Sequence, residues 1–242
     1  MMSKNNNVLI TGASKGIGLV TAEHFASKDF NVFVTARSEK ALEKLAKIPN
    51  IKGFYPCDLT QDCMFLYQEA KKALGNIDIL INNAGGYVCA EIEKTTDEDI
   101  KNLVSLNLIA PYKLAKLAVP DMKKQNFGRI INIGSISGVV GEAYATLYSM
   151  TKSGFIGFSK ALALEVAQYG ITVNTIHPGW VDTSLIHGEN MTFEEQELME
   201  TIPQRRYIEP SEIAELAEYL ASPAAKGLTG QSINLCAGIS MG

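Results

Sequence analysis

The sequence predicts an α/β protein built on a doubly wound parallel sheet. Seven short apolar runs recur along the chain, at 7–11, 31–36, 51–56, 77–83, 128–134, 171–178 and 231–236. They are almost uniformly apolar rather than alternating, which suits strands covered on both faces. Helical stretches lie between them, at 16–28, 39–47, 61–74, 97–125, 148–169 and 210–221. Repeated strand-then-helix with short connections winds into a parallel sheet through right-handed crossovers.

The elements justify themselves in order. The first strand runs into "TGASKGIG" (11–18), which opens the first helix. Gly12, Gly16 and Gly18 permit tight turns and close approach of a pyrophosphate, whose charge would face a helix N-terminus. Ser14, Lys15 and Ile17 complete that loop. The second strand ends "TARSEK", with Ala36, Arg37 and Ser38 where an NAD-selective fold carries an acid for the ribose 2′-hydroxyl. Arg37 suits a 2′-phosphate instead, with Lys15 as a second cation and Ser38 and Thr35 as hydrogen-bonding groups. NADP(H) is therefore expected over NAD(H). "CDLT" closes the third strand. There Leu59 offers a backbone amide, and Asp58 reads equally as a partner for an adenine amino group or as a helix N-cap. Residues 182–208 are polar, carry Gly188 and Pro203 and follow a strand end. Such an insertion at the carboxyl edge of a sheet is where lids sit, although a surface excursion with a short helix near 193–201 reads as well.

The 242 residues are enough for one large domain, and no linker or repeat divides 1–242. A net charge of −4 argues against a nucleic-acid binder. No apolar run reaches the roughly 18 residues of a membrane helix, and no signal peptide is apparent, so a cytoplasmic protein is expected. Cys57, Cys63, Cys89 and Cys236 fit neither a zinc site nor a disulfide framework. His24, His177 and His187 lack metal-ligand spacing, and no metal is expected.

These pieces then meet a family pattern. "TGASKGIG", "NNAG" (82–85), Asn107, Ser135, "YSMTK" (148–152) and "PGWVDT" (178–183) fall in order. From about residue 7 to its end the chain resembles the short-chain dehydrogenase/reductases. The resemblance implies a Rossmann domain with strand order 3-2-1-4-5-6-7 and hydride transfer between NADPH and a ketone or secondary alcohol. It implies an Asn107–Ser135–Tyr148–Lys152 tetrad. Tyr148 would be the general acid, Lys152 would hold the nicotinamide ribose, and Ser135 would hydrogen-bond the substrate oxygen. Asn107 would hold a water linking Lys152 to solvent, or simply pack within its helix. A free phenol titrates near 10, and a close lysine would lower it. At i and i+4 the two side chains share a helix face.

The resemblance further places Asn83, Ala84 and Gly85 beside the adenosine ribose, and Pro178, Gly179, Val181 and Thr183 beside the nicotinamide. Ser137, Tyr144 and Trp180 would face substrate, with Trp180 equally readable as packing. His177 reads as structural. The 3-oxoacyl-(acyl-carrier-protein) reductases look most similar, which implies a 3-oxoacyl thioester substrate. Tyr169 and "QNF" (125–127) stand where that subgroup carries basic residues, which leaves docking to acyl carrier protein to Lys123, Lys124, Arg205 or Arg206 and keeps a free small ketone as the alternative. A homotetramer is implied, with a dimer next, through the helices at 97–125 and 148–169, where Gly154, Gly157, Ala161 and Ala163 would permit close approach. A non-catalytic dinucleotide sensor is the competing class, and the complete tetrad argues against it.

Overall fold

The computed structural model describes residues 6–183 and 193–241. Seven strands lie in the order β3-β2-β1-β4-β5-β6-β7, all paired in parallel. They are β1 Asn7–Thr11, β2 Asn31–Ala36, β3 Ile51–Pro56, β4 Ile79–Asn82, β5 Gly128–Ile133, β6 Ile171–Pro178 and β7 Ser232–Leu235. The helices are α1 Gly16–Ser27, α2 Glu39–Leu45, α3 Cys63–Leu74, α4 Asp97–Val104, α5 Ala110–Gln125, α6 Ser137–Val140, α7 Thr146–Val166, α8 Phe193–Thr201 and α9 Pro210–Ala221. Every apolar run read as a strand forms one, and the order matches the expectation.

Alternation along the strands divides the core into two layers. Val8, Ile10, Val32, Val34, Ile79, Ile81 and Ile133 face α1 and α9, whose Phe25, Ile213 and Leu220 close that layer. Leu9, Phe33, Leu80 and Ile130 face α3, α5 and α7 through Leu66, Leu114 and Val166. Burial on both sides explains why the runs are apolar without alternation.

The stretch 97–125, read as one helix, is interrupted. A π-helical turn at Ser105–Ile109 separates α4 from α5. Pro111 sits in the first turn of α5 and has no N–H to give the Asn107 carbonyl four residues earlier. π-turns inside helices concentrate at functional sites. The four-residue α6 was not anticipated. It lies against α7, and a Cβ at Gly138 would come within 2.6 Å of the Lys152 carbonyl carbon.

In the 182–208 segment, α8 occupies the predicted helical span. Val181 and Ile208 form a parallel bridge that ties the segment's ends together. Residues 184–192, including His187, lie outside the described residues. Among the described residues no helix is long and apolar enough to cross a membrane. The four cysteines are free, with Cys57, Cys63 and Cys236 buried.

Candidate active site

The carboxyl ends of β1, β4, β5 and β6 bring the glycine loop, "NNAG", Ser135 and "PGWVDT" to one sheet edge. The glycine loop needs its glycines. Gly12 and Gly16 lie at φ 71° and 55°. A Cβ on Gly12 would come within 2.8 Å of Ala84 Cα, and one on Gly18 within 2.3 Å of the Gly12 carbonyl oxygen. Thr183 closes over the loop, its methyl 3.5 Å from where a Gly16 Cβ would lie. The first turn of α1 carries no acidic residue, so nothing there repels an anion at the helix N-terminus. Ile17 lies in that turn, and Lys15 just before it is exposed.

The loop is braced by a residue the sequence reading missed. Thr11 Oγ1 accepts the backbone N–H groups of Asn83 and Ala84, each at 3.0 Å. Asn83 returns the brace, its Nδ2 donating to the carbonyls of Thr11 at 2.9 Å and Gly12 at 3.2 Å. The Asn83 amide is thereby spent within the protein, and "NNAG" offers a ligand its backbone and Gly85.

At the end of β2, Arg37 is exposed and Ser38 caps α2 by accepting Ala41 N–H. Thr35 does not join them. It is buried, and its hydroxyl donates to the Tyr55 carbonyl at 2.6 Å. A 520 Å³ cleft between α1 and α2 is lined by Ser14 and Ser38 together with Lys40 and Lys44, two cations the sequence reading did not name. Asp58 is not the cap of α3, since Asp62 accepts Phe65 N–H there. Asp58 Oδ1 instead accepts the backbone N–H and hydroxyl of Thr60, and these bonds, with Arg37 nearby, hold its carboxyl below the usual range. Leu59 beside it is buried.

The expected tetrad converges, with corrections. Ser135 lies near enough to the Tyr148 hydroxyl to oppose the rise in its pKa. Ser135 Oγ donates to Ser137 Oγ at 3.0 Å and accepts Ser137 N–H at 3.1 Å. Lys152 is buried, and its Nζ donates to the Ile133 carbonyl at 2.8 Å. The ammonium lies 5.7 Å from the Tyr148 ring centroid. Burial pulls its pKa from 10.5 down to about 8. The expectation that Lys152 lowers the phenol is not met, because the ammonium is turned to Ile133. Burial pushes Tyr148 above its ordinary value, Ser135 opposes that, and Glu142 adds to it.

Asn107 is fully buried, but its side chain is occupied. Its Oδ1 accepts Gly86 N–H at 2.9 Å, and its Nδ2 donates to Gly86 O and to Thr151 Oγ1. Gly85 borders both groups, since a Cβ there would sit 3.4 Å from Asn107 Oδ1 and from Lys152 Nζ. His177 is structural in its geometry. Its Nδ1 donates to the Ser135 carbonyl at 3.0 Å, and burial lowers its pKa, which keeps it neutral.

Pro178 ends β6, and its carbonyl accepts Ile136 N–H at 2.8 Å. A Cβ at Gly179 would meet Cys236 Cα at 2.8 Å. Trp180 packs half-buried against the apolar cluster that holds Val181, Ile202 and Ile208, which favours packing over a substrate wall. Tyr144 is 63 % exposed at φ 63°, and its carbonyl accepts Ala90 N–H. Two further residues were missed. Glu142 accepts the hydroxyls of Ser137 and Tyr87, each at 2.6 Å, and the Tyr87 ring meets that of Tyr148 edge-on at 4.9 Å. No motif marks Glu142, and only the fold brings it to this edge. Among the described residues no group of three or more His, Cys, Asp or Glu could hold a metal ion.

A glycine loop at a helix N-terminus, sharing a sheet edge with a serine–tyrosine–lysine cluster, defines an oxidoreductase of the dinucleotide-binding class. The model of the short chain dehydrogenase family matches residues 6–192, and the chain belongs to that family. It is 39 % identical to an uncharacterized oxidoreductase, YxjF, of Bacillus subtilis, over 95 % of this chain and 96 % of that one. It is 37 % identical to the 3-oxoacyl-(acyl-carrier-protein) reductase FabG of Haemophilus influenzae, over 96 % of each. Among solved structures, a single-residue variant of actinorhodin polyketide ketoreductase with NADPH superimposes with a TM-score of 0.91 at 33 % identity, covering 99 % of both chains.

Proposed function

We propose that this chain is a cytoplasmic NADPH-dependent reductase that converts a ketone, foremost a 3-oxoacyl thioester, to a secondary alcohol. The convergence of Ser135, Tyr148 and Lys152 on the edge that carries the glycine loop supports this reading most. NADPH fits the residues present, with tight glycines, an acid-free helix start and exposed Arg37 and Lys15. It would supply the hydride. Backbone groups of Gly12 to Gly18 and of "NNAG" would hold the dinucleotide, with Asp58 and Leu59 at the adenine. Arg37, Lys15, Ser14 and Ser38 would hold the 2′-phosphate, with Lys40 and Lys44 adding positive field. Pro178, Gly179, Val181 and Thr183 would flank the nicotinamide.

In this reading Tyr148 gives its proton to the carbonyl oxygen, and Ser135 donates a hydrogen bond to the same oxygen. A raised phenol pKa suits a proton donor. Lys152 holds the ribose and passes protons on. The water-holding role falls to the Asn107 backbone carbonyl, because its amide is occupied and Pro111 leaves that carbonyl without its helical donor. Segment 182–208 acts as the lid of a single domain spanning 1–242.

The four cations named for docking an acidic carrier protein each have a partner within the chain. Lys123 pairs with Glu165 at 3.4 Å and Lys124 with Asp121 at 3.3 Å. Arg206 makes two bonds to Glu212, and Arg205 bonds the Glu200 carbonyl. This favours a free thioester, ester or small ketone over a docked carrier protein. Met150, Gly157, Ala161 and Leu164 recur along one exposed face of α7, with Leu164 87 % exposed, which supports a homotetramer and, next, a dimer. Gly154 and Ala163 do not belong to that face. A Cβ on Gly154 would strike Leu108 of the same chain at 2.6 Å, and Ala163 is in the core.

The test is NADPH oxidation by purified protein across ketones and 3-oxoacyl thioesters. Tyr148→Phe should lower turnover by roughly 10²–10⁴-fold while NADPH affinity holds. Near-normal turnover would remove Tyr148 from the acid role.

A further inference from the structure

We propose that Glu142 selects the substrate by charge: it excludes free 3-oxo carboxylates and admits compounds whose carboxyl is masked as an ester or thioester. This rests on the carbonyl-reductase reading above. The geometry is specific. Glu142 Oε2 accepts the Ser137 hydroxyl and Oε1 accepts the Tyr87 hydroxyl, each at 2.6 Å. Both partners donate, so both carboxylate oxygens serve as acceptors. Ser137 in turn accepts the Ser135 hydroxyl at 3.0 Å. The charge therefore stands two hydrogen bonds from the serine that would meet the reacting oxygen. It is also close enough to act on Tyr148, whose pKa it raises. The Tyr87 ring packed on the Tyr148 ring fixes the carboxylate to the same wall.

Among the described residues no lysine, arginine or histidine forms an ion pair with Glu142. In a 3-oxo acid one methylene separates the reacting carbonyl from the carboxylate. Seating that carbonyl against Ser135 and Tyr148 brings a second anion near the first. Two like charges about 6 Å apart, in a partly screened site, disfavour binding by roughly tenfold to a hundredfold. A thioester or ester carbonyl carries no charge and escapes that repulsion. Discrimination here comes from a repulsive element set against one substrate class.

The experiment compares kcat/KM for acetoacetate and for methyl acetoacetate with NADPH, in wild type, Glu142→Gln and Glu142→Asp. Wild type should strongly prefer the ester. Glu142→Gln should raise the acetoacetate-to-ester ratio about tenfold to a hundredfold, whereas Glu142→Asp, which keeps the charge, should leave the ratio near wild type. A second measurement needs no variant. Raising ionic strength shortens the screening length from about 30 Å at 0.01 M to about 3 Å at 1 M, and the wild-type ratio should rise with it. Ester turnover with a ratio that neither glutamine nor salt moves would overturn the role of Glu142 alone. Turnover of neither compound by wild type would instead count against ketone reduction, and the proposal would fall with it.

Discussion

Lys152→Met should produce a protein that is more stable at neutral pH and inactive. Lys152 is buried, and its pKa falls from 10.5 to about 8 because burial disfavours the ammonium. At about 1.36 kcal/mol for each pH unit, the charged form is destabilised by about 3 kcal/mol. Methionine removes that cost and fills similar volume. It also leaves the Ile133 carbonyl without its 2.8 Å donor, which costs about 1 kcal/mol. A net gain of about 2 kcal/mol at pH 7 remains. The pH dependence is the sharper signature. Below pH 8 both folded and unfolded chains hold the lysine proton, so the penalty is constant. Between about 8 and 10.5 the unfolded chain holds the proton and the folded chain has lost it. Wild-type stability from this group therefore rises with pH across that window. The variant has no such term, so its advantage of about 2 kcal/mol should vanish near pH 9.5 and reverse by about 1 kcal/mol at about pH 10.5, when only the orphaned carbonyl remains. Urea unfolding of both proteins without added cofactor, at pH 7, 8, 9 and 10.5, reads this directly. A variant less stable than wild type at pH 7, or a difference that does not change with pH, would refute the reasoning.

Arg37→Asp should lower the NADPH-to-NADH ratio of kcat/KM by about tenfold or more, and an unchanged ratio would remove Arg37 from cofactor choice. Thr11→Val keeps the shape but orphans the Asn83 and Ala84 N–H groups. It should cost about 2–4 kcal/mol in thermal unfolding, while Thr11→Ser stays within about 1 kcal/mol. Equal stability of the two variants would show that the hydroxyl is not the brace.

Local signals in the chain were strong where backbone chemistry is local. Mostly apolar runs marked the seven strands, of which β1, β4, β5 and β6 are buried throughout, and the order implied by the family resemblance is the one found. Glycine spacing marked a loop whose positive φ at Gly12 and Gly16 only glycine takes easily. The i, i+4 spacing of Tyr148 and Lys152 put the two on one helix face, but it was the resemblance to the short-chain dehydrogenase/reductases, carried by Ser135 and the glycine loop, that implied a reactive cluster. Helix boundaries were less legible. The π-turn at Ser105–Ile109 lies just before Pro111, which has no N–H to give, a detail hidden within an otherwise helical pattern.

What the sequence could not determine was how each polar side chain spends its hydrogen bonds. Asn83 and Asn107 read as ligand-facing groups, yet their amides are consumed by Gly12 and Gly86 across the fold. Lys152 was paired with Tyr148 by spacing, but a carbonyl on β5 claims its ammonium. Glu142 and Tyr87 lie 55 residues apart and meet only because β4 and β5 are neighbours in the sheet. The class of fold was legible in the chain because it follows from periodicity, and the reactive residues were legible through the family pattern that their motifs match in order. Burial and partner choice at the site were decided by the tertiary structure, because they come from residues far apart in the chain and neither is written locally.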